Sequence, residues 1–347
     1  MNDVVRIPLL PDAGRGLRRD AALVASICED AGYKPEVMTV TRWPKAVRSV
    51  LNRLDRLKGR LLPQWLCAPL NRLLLFAVAR SRRSDPLITI HFEDVFFRYL
   101  ADNGKQWLIP NQEVFRLSKQ QYLVFYDCVL CKTWEAFRAF SAVASHASYL
   151  GFAGHLPQCD AMIHDWGRWL HVAGTSPNKG SAAVVHVWAR HPEWPVLDLV
   201  IDDSNRLPVV PHNVRIHERI NDVDLEALRS SCGIALAPSE AEGFGHALFD
   251  AMARGQVVVT VDAPPMNELV GNDRGFLVGW SDYSPCRMGT KYFVDEVALE
   301  ESIDVIVNMS AGSLEARSQA ARTWVETRHD SFRERMHSLL EELNQER

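Results

Sequence analysis

"SEAEGFGHALFDAMARGQVVVTVDAPPMNELV", Ser239 to Val270, holds a turn, a helix, a strand and a loop in one short run. Glu242 stands in a glycine-rich turn, and Asp250 follows after seven intervening residues. Gly243 and Gly245 have no side chains, so a bound group can approach the backbone there. "GHALFDAMARG" reads as a helix closed by Gly255. Its first turn offers free N–H groups and the positive end of the helix dipole, a natural seat for phosphate. "IALAPS" before the turn and "VVVTVD" after the helix read as buried strands. Strand, turn, helix and strand in this order build an open parallel sheet.

Working outward, the same rhythm fills the chain. "VVRIPLL", a glycine-bearing loop, a helix over 17–31 and "PEVMTV" form a β-loop-α-β opening. "LITIHFE", "QWLIP", "CVLCKT" and "SYLGF" continue as strands. The pattern breaks over 153–168 and a second series starts at "WLHVAG". It runs through "VLDLVI", "VRIHERI", a helix over "DVDLEALRSSCG", and "GFLVG". The residues from 297 onward read as helical, broken near "AGS". The expected domains are 1–155, 169–325 and a terminal helix over 326–347. Ligands of such sheets sit outside the carboxyl ends of the strands, so the loops there are the places to look.

A carboxylate is a poor partner for phosphate and a good acceptor for hydroxyls. Glu242 and Asp250 flanking a phosphate seat therefore fit a ligand with hydroxyls at both ends and phosphate between, a nucleotide diphosphate sugar. Residues Glu242, Gly243, Phe244, Gly245, Asp250, Ala251, Met252, Ala253 and Gly255 resemble the donor site of the retaining GT-B glycosyltransferases of family 4, or group 1. The resemblance covers most of Trp169 to Val278. It implies an α/β fold of GT-B type, two Rossmann-like domains facing across a cleft. It also implies metal-independent transfer of a sugar from a UDP- or GDP-linked donor to an acceptor hydroxyl, with retention, in glycan or glycolipid assembly. No cofactor beyond that donor is expected, and no metal-binding residues.

In "HVAGTSPNKG", Lys179 matches the family lysine that neutralises the diphosphate, whereas Thr175 stands where the family has arginine. Asp250 stands where glutamate is usual. The donor-binding set is thus Thr175, Lys179, Glu242, Gly243, Phe244, Gly245, His246 and Asp250. In the first half, His91, Glu93, Asn111, Glu113, Lys132 and Thr133 lie at strand carboxyl ends, and the family often places a histidine there near the donor sugar. The expected catalytic groups are Glu242, Lys179, His91 and Glu113. Two other readings stay open: a degenerate transferase that binds a sugar nucleotide without transfer, and a sugar-nucleotide epimerase of the same two-domain fold.

Net charge is −4, which gives no global field for nucleic acid. The exception is Arg42 to Ser84, with eleven Lys/Arg and one acid, Asp55, and leucines at helical spacing. It reads either as an amphipathic helix covering the sheet or as a surface for anionic lipid. The partners expected are the nucleotide-sugar donor, a glycan or lipid-linked acceptor and, through 42–84, an anionic membrane; DNA or another polyanion stays open as acceptor. No signal peptide or membrane-spanning run is visible, so a cytoplasmic protein, peripheral at the inner membrane face, is expected. The C-x-x-C of Cys128 and Cys131 lies in an apolar run and reads as core thiols rather than a zinc or redox pair.

Overall fold

The computed structural model describes residues 3–40, 49, 53–58, 61, 64–79, 85–157, 165–203, 207 and 210–345. The chain divides into two compact units. Unit 1 comprises Met1–Phe152, Arg287–Gly289 and Ser331–Arg347, and unit 2 comprises Ala153–Cys286 and Thr290–Asp330.

Unit 1 contains β1 (Val4–Leu9), β2 (Lys34–Thr39), β3 (Ile88–Phe92), β4 (Lys105–Ile109), β5 (Cys128–Cys131) and β6 (Ala147–Tyr149). They form one parallel sheet in the order β2-β1-β3-β4-β5-β6. Every residue of β3 is buried, whereas edge strand β2 is exposed or half-buried throughout. That contrast follows from position, since only inner strands are covered on both faces and paired on both sides. The helix Arg15–Asp30 buries Leu17, Ala21, Val24 and Cys28, the inward stripe of a 3.6-residue period. Between β3 and β4 the chain makes a single helical turn, Phe97–Leu100. Cys131 is buried and Cys128 half-buried, both as free thiols. Burial pushes their thiols up to about 12 and about 11, so neither is a ready thiolate.

Much of the basic segment lies outside the described residues. Within it, 53–58 are helical and a further helix spans Gln64–Ala79, with Pro69 inside. The one acid, Asp55, is 4% exposed and ties the segment to the body of unit 1. It pairs with Lys119 at 3.1 Å and Lys58 at 3.3 Å and accepts the Tyr122 hydroxyl at 2.7 Å. Leu54, Leu57, Leu61, Leu70 and Leu73 are exposed, so these five leucines do not cover the sheet. No helix among the described residues is long and apolar enough to cross a membrane.

Unit 2 contains β7 (Asp165–Gly174), β8 (Leu197–Ile201), β9 (Val214–Glu218), β10 (Cys232–Leu236), β11 (Val257–Val261) and β12 (Gly275–Val278), parallel in the order β12-β11-β10-β7-β8-β9. β10 and β11 are buried along their whole length. Beside β7, Trp169, Trp188 and Trp194 stack edge to face with ring centroids 5.4 and 5.0 Å apart. β8 carries a buried carboxylate, Asp198, which ties neighbouring strands together. It accepts from Arg168 at 2.9 Å, His217 at 2.8 Å and Arg215 at 3.3 Å.

Two elements depart from the sequence reading. A two-stranded hairpin, β13 (Trp280–Cys286) and β14 (Gly289–Val294), follows β12. The tail is helical from Glu296 and broken just before "AGS", as read, into Glu296–Val307 and Ala311–Gln345, but the second helix is continuous through 326, where a separate terminal helix was expected to begin.

Strand order fixes where each sheet opens. In unit 1 the connections diverge between β1 and β3; in unit 2 they diverge between β7 and β10. Helices leaving opposite faces at such a switch point leave a crevice outside the carboxyl ends, where ligands of open α/β sheets bind.

Candidate functional site

The switch point of unit 2 is built from the loops after β7 and β10. Each loop leads into a helix through a glycine in the left-handed region: Gly180 (φ 69°) before Ser181–Arg190 and Gly245 (φ 102°) before His246–Ala253. At Gly180 any side chain would meet the Pro238 carbonyl oxygen at 2.5 Å, so the two loops pass too closely for another residue. Neither helix start is capped by a side chain at its glycine. Two sets of N–H groups and two positive dipole ends are therefore presented at one switch point.

The loops are fastened to each other. The Glu240 amide donates to the Asn178 carbonyl at 2.9 Å, and Lys179 Nζ pairs with Glu242 Oε1. Beneath them, His171 is 1% exposed and bridges the Leu236 carbonyl (Nδ1, 2.6 Å) and the Ser181 hydroxyl (Nε2, 2.8 Å). A carbonyl can only accept, so Nδ1 carries the proton and Nε2 accepts from the hydroxyl. Burial depresses this imidazole to about 4, and the Lys179 charge adds to the effect, although the bond to Leu236 opposes both. A neutral histidine thus joins the start of the loop after β10 to the helix start after β7 without adding charge.

The structure brings the donor-binding residues expected from sequence to this one corner, with differing exposure. Lys179 and Glu242 are half-buried and Thr175 is exposed. Gly243 and Gly245 are buried in the turn. Phe244, 2% exposed, packs its ring 5.6 Å from Phe249 and 5.2 Å from His246, so it anchors the turn from within. Asp250 is 3% exposed, on the inward face of its helix, so a ligand hydroxyl must enter the interior of the turn to reach it. Sequence reasoning missed Ser239, whose buried hydroxyl has no partner among the described residues, and Glu240, which pairs with Lys291 at 2.8 Å and accepts the Tyr292 amide at 2.8 Å. Ser239 and Glu240 stand beside Glu242 in the quoted stretch, but the partners of Glu240 lie on β14, which was not foreseen. A D-x-D tripeptide, Asp222 to Asp224, was also passed over. It forms a helix start, where Asn221 Oδ1 caps the Asp224 amide at 2.9 Å.

His91 and Glu113 belong to unit 1. His91 is fully buried within β3, not open at its end. Its Nε2 meets Gln106 Oε1 at 3.0 Å, and its Nδ1 faces the Phe96 amide at 3.3 Å and the Tyr126 hydroxyl at 3.2 Å. With both ring nitrogens engaged, it supports the strand ends from below, which differs from the direct contact expected of it. Glu113 is half-buried in the turn after β4.

Comparison with known proteins agrees with this construction. Residues 209–283 match the family described as glycosyl transferases group 1. A glycosyltransferase from Rickettsia africae is similar over 99% of this chain and 98% of its own, with a TM-score of 0.67 at 13% identity. Sucrose-phosphate synthase from Thermosynechococcus elongatus gives 0.64 at 13% identity, covering 99% of this chain and 100% of its own. HepE of Anabaena, solved with UDP and glucose, gives 0.63 at 14% identity over the same shares. No curated protein sequence matches. The chain has the GT-B fold of these glycosyltransferases, and its 209–283 segment carries the group 1 pattern.

Proposed function

We propose that this protein is a glycosyltransferase that moves a sugar from a nucleotide diphosphate sugar, UDP- or GDP-linked, to an acceptor hydroxyl with retention of configuration. The observation that carries the reading is the Lys179–Glu242 pair set between two helix starts at the switch point of unit 2. Lys179 and the free N–H groups meet the charge that grows on the leaving diphosphate. In this reading that charge needs no metal partner. Glu242 repels phosphate and accepts sugar hydroxyls, so it orients the donor with its sugar toward the carboxylate. Thr175, in the place of a second cation, supplies only a neutral hydrogen bond, which leaves Lys179 as the principal counter-charge. Asp250 takes a ribose hydroxyl within the turn. The match over 209–283 and the UDP and glucose bound by HepE support the nucleotide-sugar assignment.

Incubation with UDP- and GDP-sugars, with and without simple glycan acceptors, tests it. Nucleotide release that rises with acceptor, and a product whose anomeric proton matches the donor's, is the expected result. Binding without release under every condition would instead describe a sugar-nucleotide receptor.

The acceptor we infer is a glycan or a lipid-linked glycan at the cytoplasmic face of a membrane. Five exposed leucines among the arginines and lysines of 42–84 favour an anionic surface as neighbour. Cosedimentation with anionic and neutral vesicles decides this. A variant with Arg53, Arg56, Leu57 and Leu61 all changed to Gln should stay in the supernatant, and wild-type protein failing to pellet with anionic vesicles would remove the membrane from the reading.

A further inference from the structure

The switch point of unit 1 lies between β1 and β3, and the residue directly after β3 is Glu93. Glu93 has φ of 61°, a left-handed conformation that costs a residue with a Cβ about 1–2 kcal/mol. Tight backbone bonds hold it there: its amide donates to the Ile109 carbonyl at 3.0 Å, and the next amide, Asp94, reaches back to Phe92 at 2.7 Å. A glycine would relieve the strain, so the carboxyl group is what this position retains.

That carboxyl is met by the end of the neighbouring strand. Asn111, two residues past β4, donates its Nδ2 to Glu93 Oε1 at 2.7 Å. Because a carboxylate can only accept, the amide is oriented with its nitrogen toward Glu93, which turns Oδ1 away. Asn111 Oδ1 is buried and has no partner among the described residues. Lys132, at the end of β5, is fully buried and pairs with Asp20 of the first helix at 2.6 Å. Burial pushes the Glu93 carboxyl up, while the Lys132 charge and the Asn111 bond hold it down, which sets all four groups in one neighbourhood. A buried acceptor without a donor costs free energy unless a ligand supplies one.

We propose that Glu93 and Asn111 form a hydroxyl clamp at the switch point of unit 1, which takes two neighbouring O–H donors of a sugar or polyol acceptor. Glu93 Oε2 and Asn111 Oδ1 are two acceptors on adjacent strand ends, so the partner must offer two donors close together. A vicinal diol does this; a single alcohol, a phosphate or an apolar chain does not. Lys132 is spent on Asp20, so among the described residues no free cation is left at the floor of the clamp to draw a phosphate, and the two acceptors are left for hydroxyl donors. The clamp as an acceptor site rests on the glycosyltransferase reading; the clamp as a polyol site does not.

The test uses the full chain and two separate titrations. One measures UDP and GDP; the other measures methyl α-glucoside, methyl α-mannoside, methyl α-galactoside and myo-inositol, each with a deoxy analogue lacking one hydroxyl of a vicinal pair. At least one of the polyols should bind wild-type protein, and Glu93→Gln and Asn111→Ala should each weaken it about tenfold or more, the effect of one lost hydrogen bond to a charged group. The deoxy analogue should bind wild type as weakly as the polyol binds the variants, and nucleotide binding should be unchanged. The isosteric Asn111→Asp, which keeps the fold volume but sets a second carboxylate against Glu93, guards against a simple packing defect and should also lose the polyol. Equal polyol binding by wild type and variants, or none by wild type, overturns the clamp. Failure of UDP and GDP alone strikes the transferase reading and leaves the polyol result standing.

Discussion

The two switch points solve the same problem with opposite materials. In unit 2 the crevice is made of backbone: left-handed glycines at 180 and 245 free two helix starts, and side chains enter only as the Lys179–Glu242 pair. In unit 1 it is made of side chains: a strained Glu93, the Asn111 amide and the buried Lys132–Asp20 pair. Backbone N–H groups recognise anions of many shapes, so in the proposed reading the first crevice takes the diphosphate that many donors share. Side-chain acceptors recognise a particular arrangement of donors, so the second suits the partner that varies.

Removing one partner of the buried pair should do most damage. Lys132→Met removes the ion-pair partner of Asp20, whose side chain is 2% exposed, and should cost about 3–5 kcal/mol in chemical denaturation. The double variant with Asp20→Leu should recover much of that. If the single variant is as stable as wild type, the claim that unit 1 depends on side-chain charge is wrong.

Acid should act on unit 2 through His171. The folded imidazole sits at about 4, below the ordinary 6.5, so the unfolded chain binds a proton first as pH falls. The stability this group contributes is complete above about 6.5, declines below it and is gone near 4, a loss of roughly 3 kcal/mol. A His171→Gln variant should show a flatter dependence of melting temperature on pH across that window. Identical slopes would show that the ring is protonated in place.

A smaller change tests the backbone crevice itself. Lys179→Ala should weaken a nucleoside diphosphate by about 1.5–3 kcal/mol in calorimetry and leave the nucleoside unchanged. Equal losses for both ligands would move Lys179 from phosphate to base or sugar. Glu242→Gln should lower turnover by a similar increment while the melting temperature holds.

The smallest expected effect is steric. Gly245→Ala places a Cβ at φ 102° and 3.1 Å from Leu248 Cδ1, and should cost about 1–2 kcal/mol of stability. A neutral result would mean the turn can relax, and that the glycine serves ligand approach alone.

What could be read beforehand differs between the units for the same reason. The turn, acids and helix of unit 2 are contiguous over Glu242 to Asp250, so local spacing already describes their arrangement. Lys179 lies 63 residues away and was joined to them only through a family resemblance. In unit 1 the deciding side-chain contacts join separate strands and helices, such as Lys132 to Asp20 across 112 residues. His91 looked like an open strand-end group because its burial by Gln106 and Tyr126 is a property of packing, not of spelling. The hairpin 280–294 escaped because β13 is largely exposed and β14 is half-buried along nearly its whole length, so neither carries the apolar alternation that marks a strand with one buried face. The aromatic residues on either side of the Arg287–Gly289 turn were the available signal.

Asp198 has a consequence for how this molecule meets copies of itself. β9 is the last strand of its sheet, and an unpaired strand edge is a template on which another chain can add. Arg215, drawn onto Asp198 from β9, places a charge on that strand, and His217 adds a hydrogen bond beside it. Burial pushes the Asp198 carboxyl up, yet the bonds from His217 and Arg168 hold it below its usual range, so the arrangement persists into mild acid. Polar side chains fastened on an edge strand in this way are one of the devices that discourage a second chain from adding to it, and here a carboxylate hidden from water does the fastening.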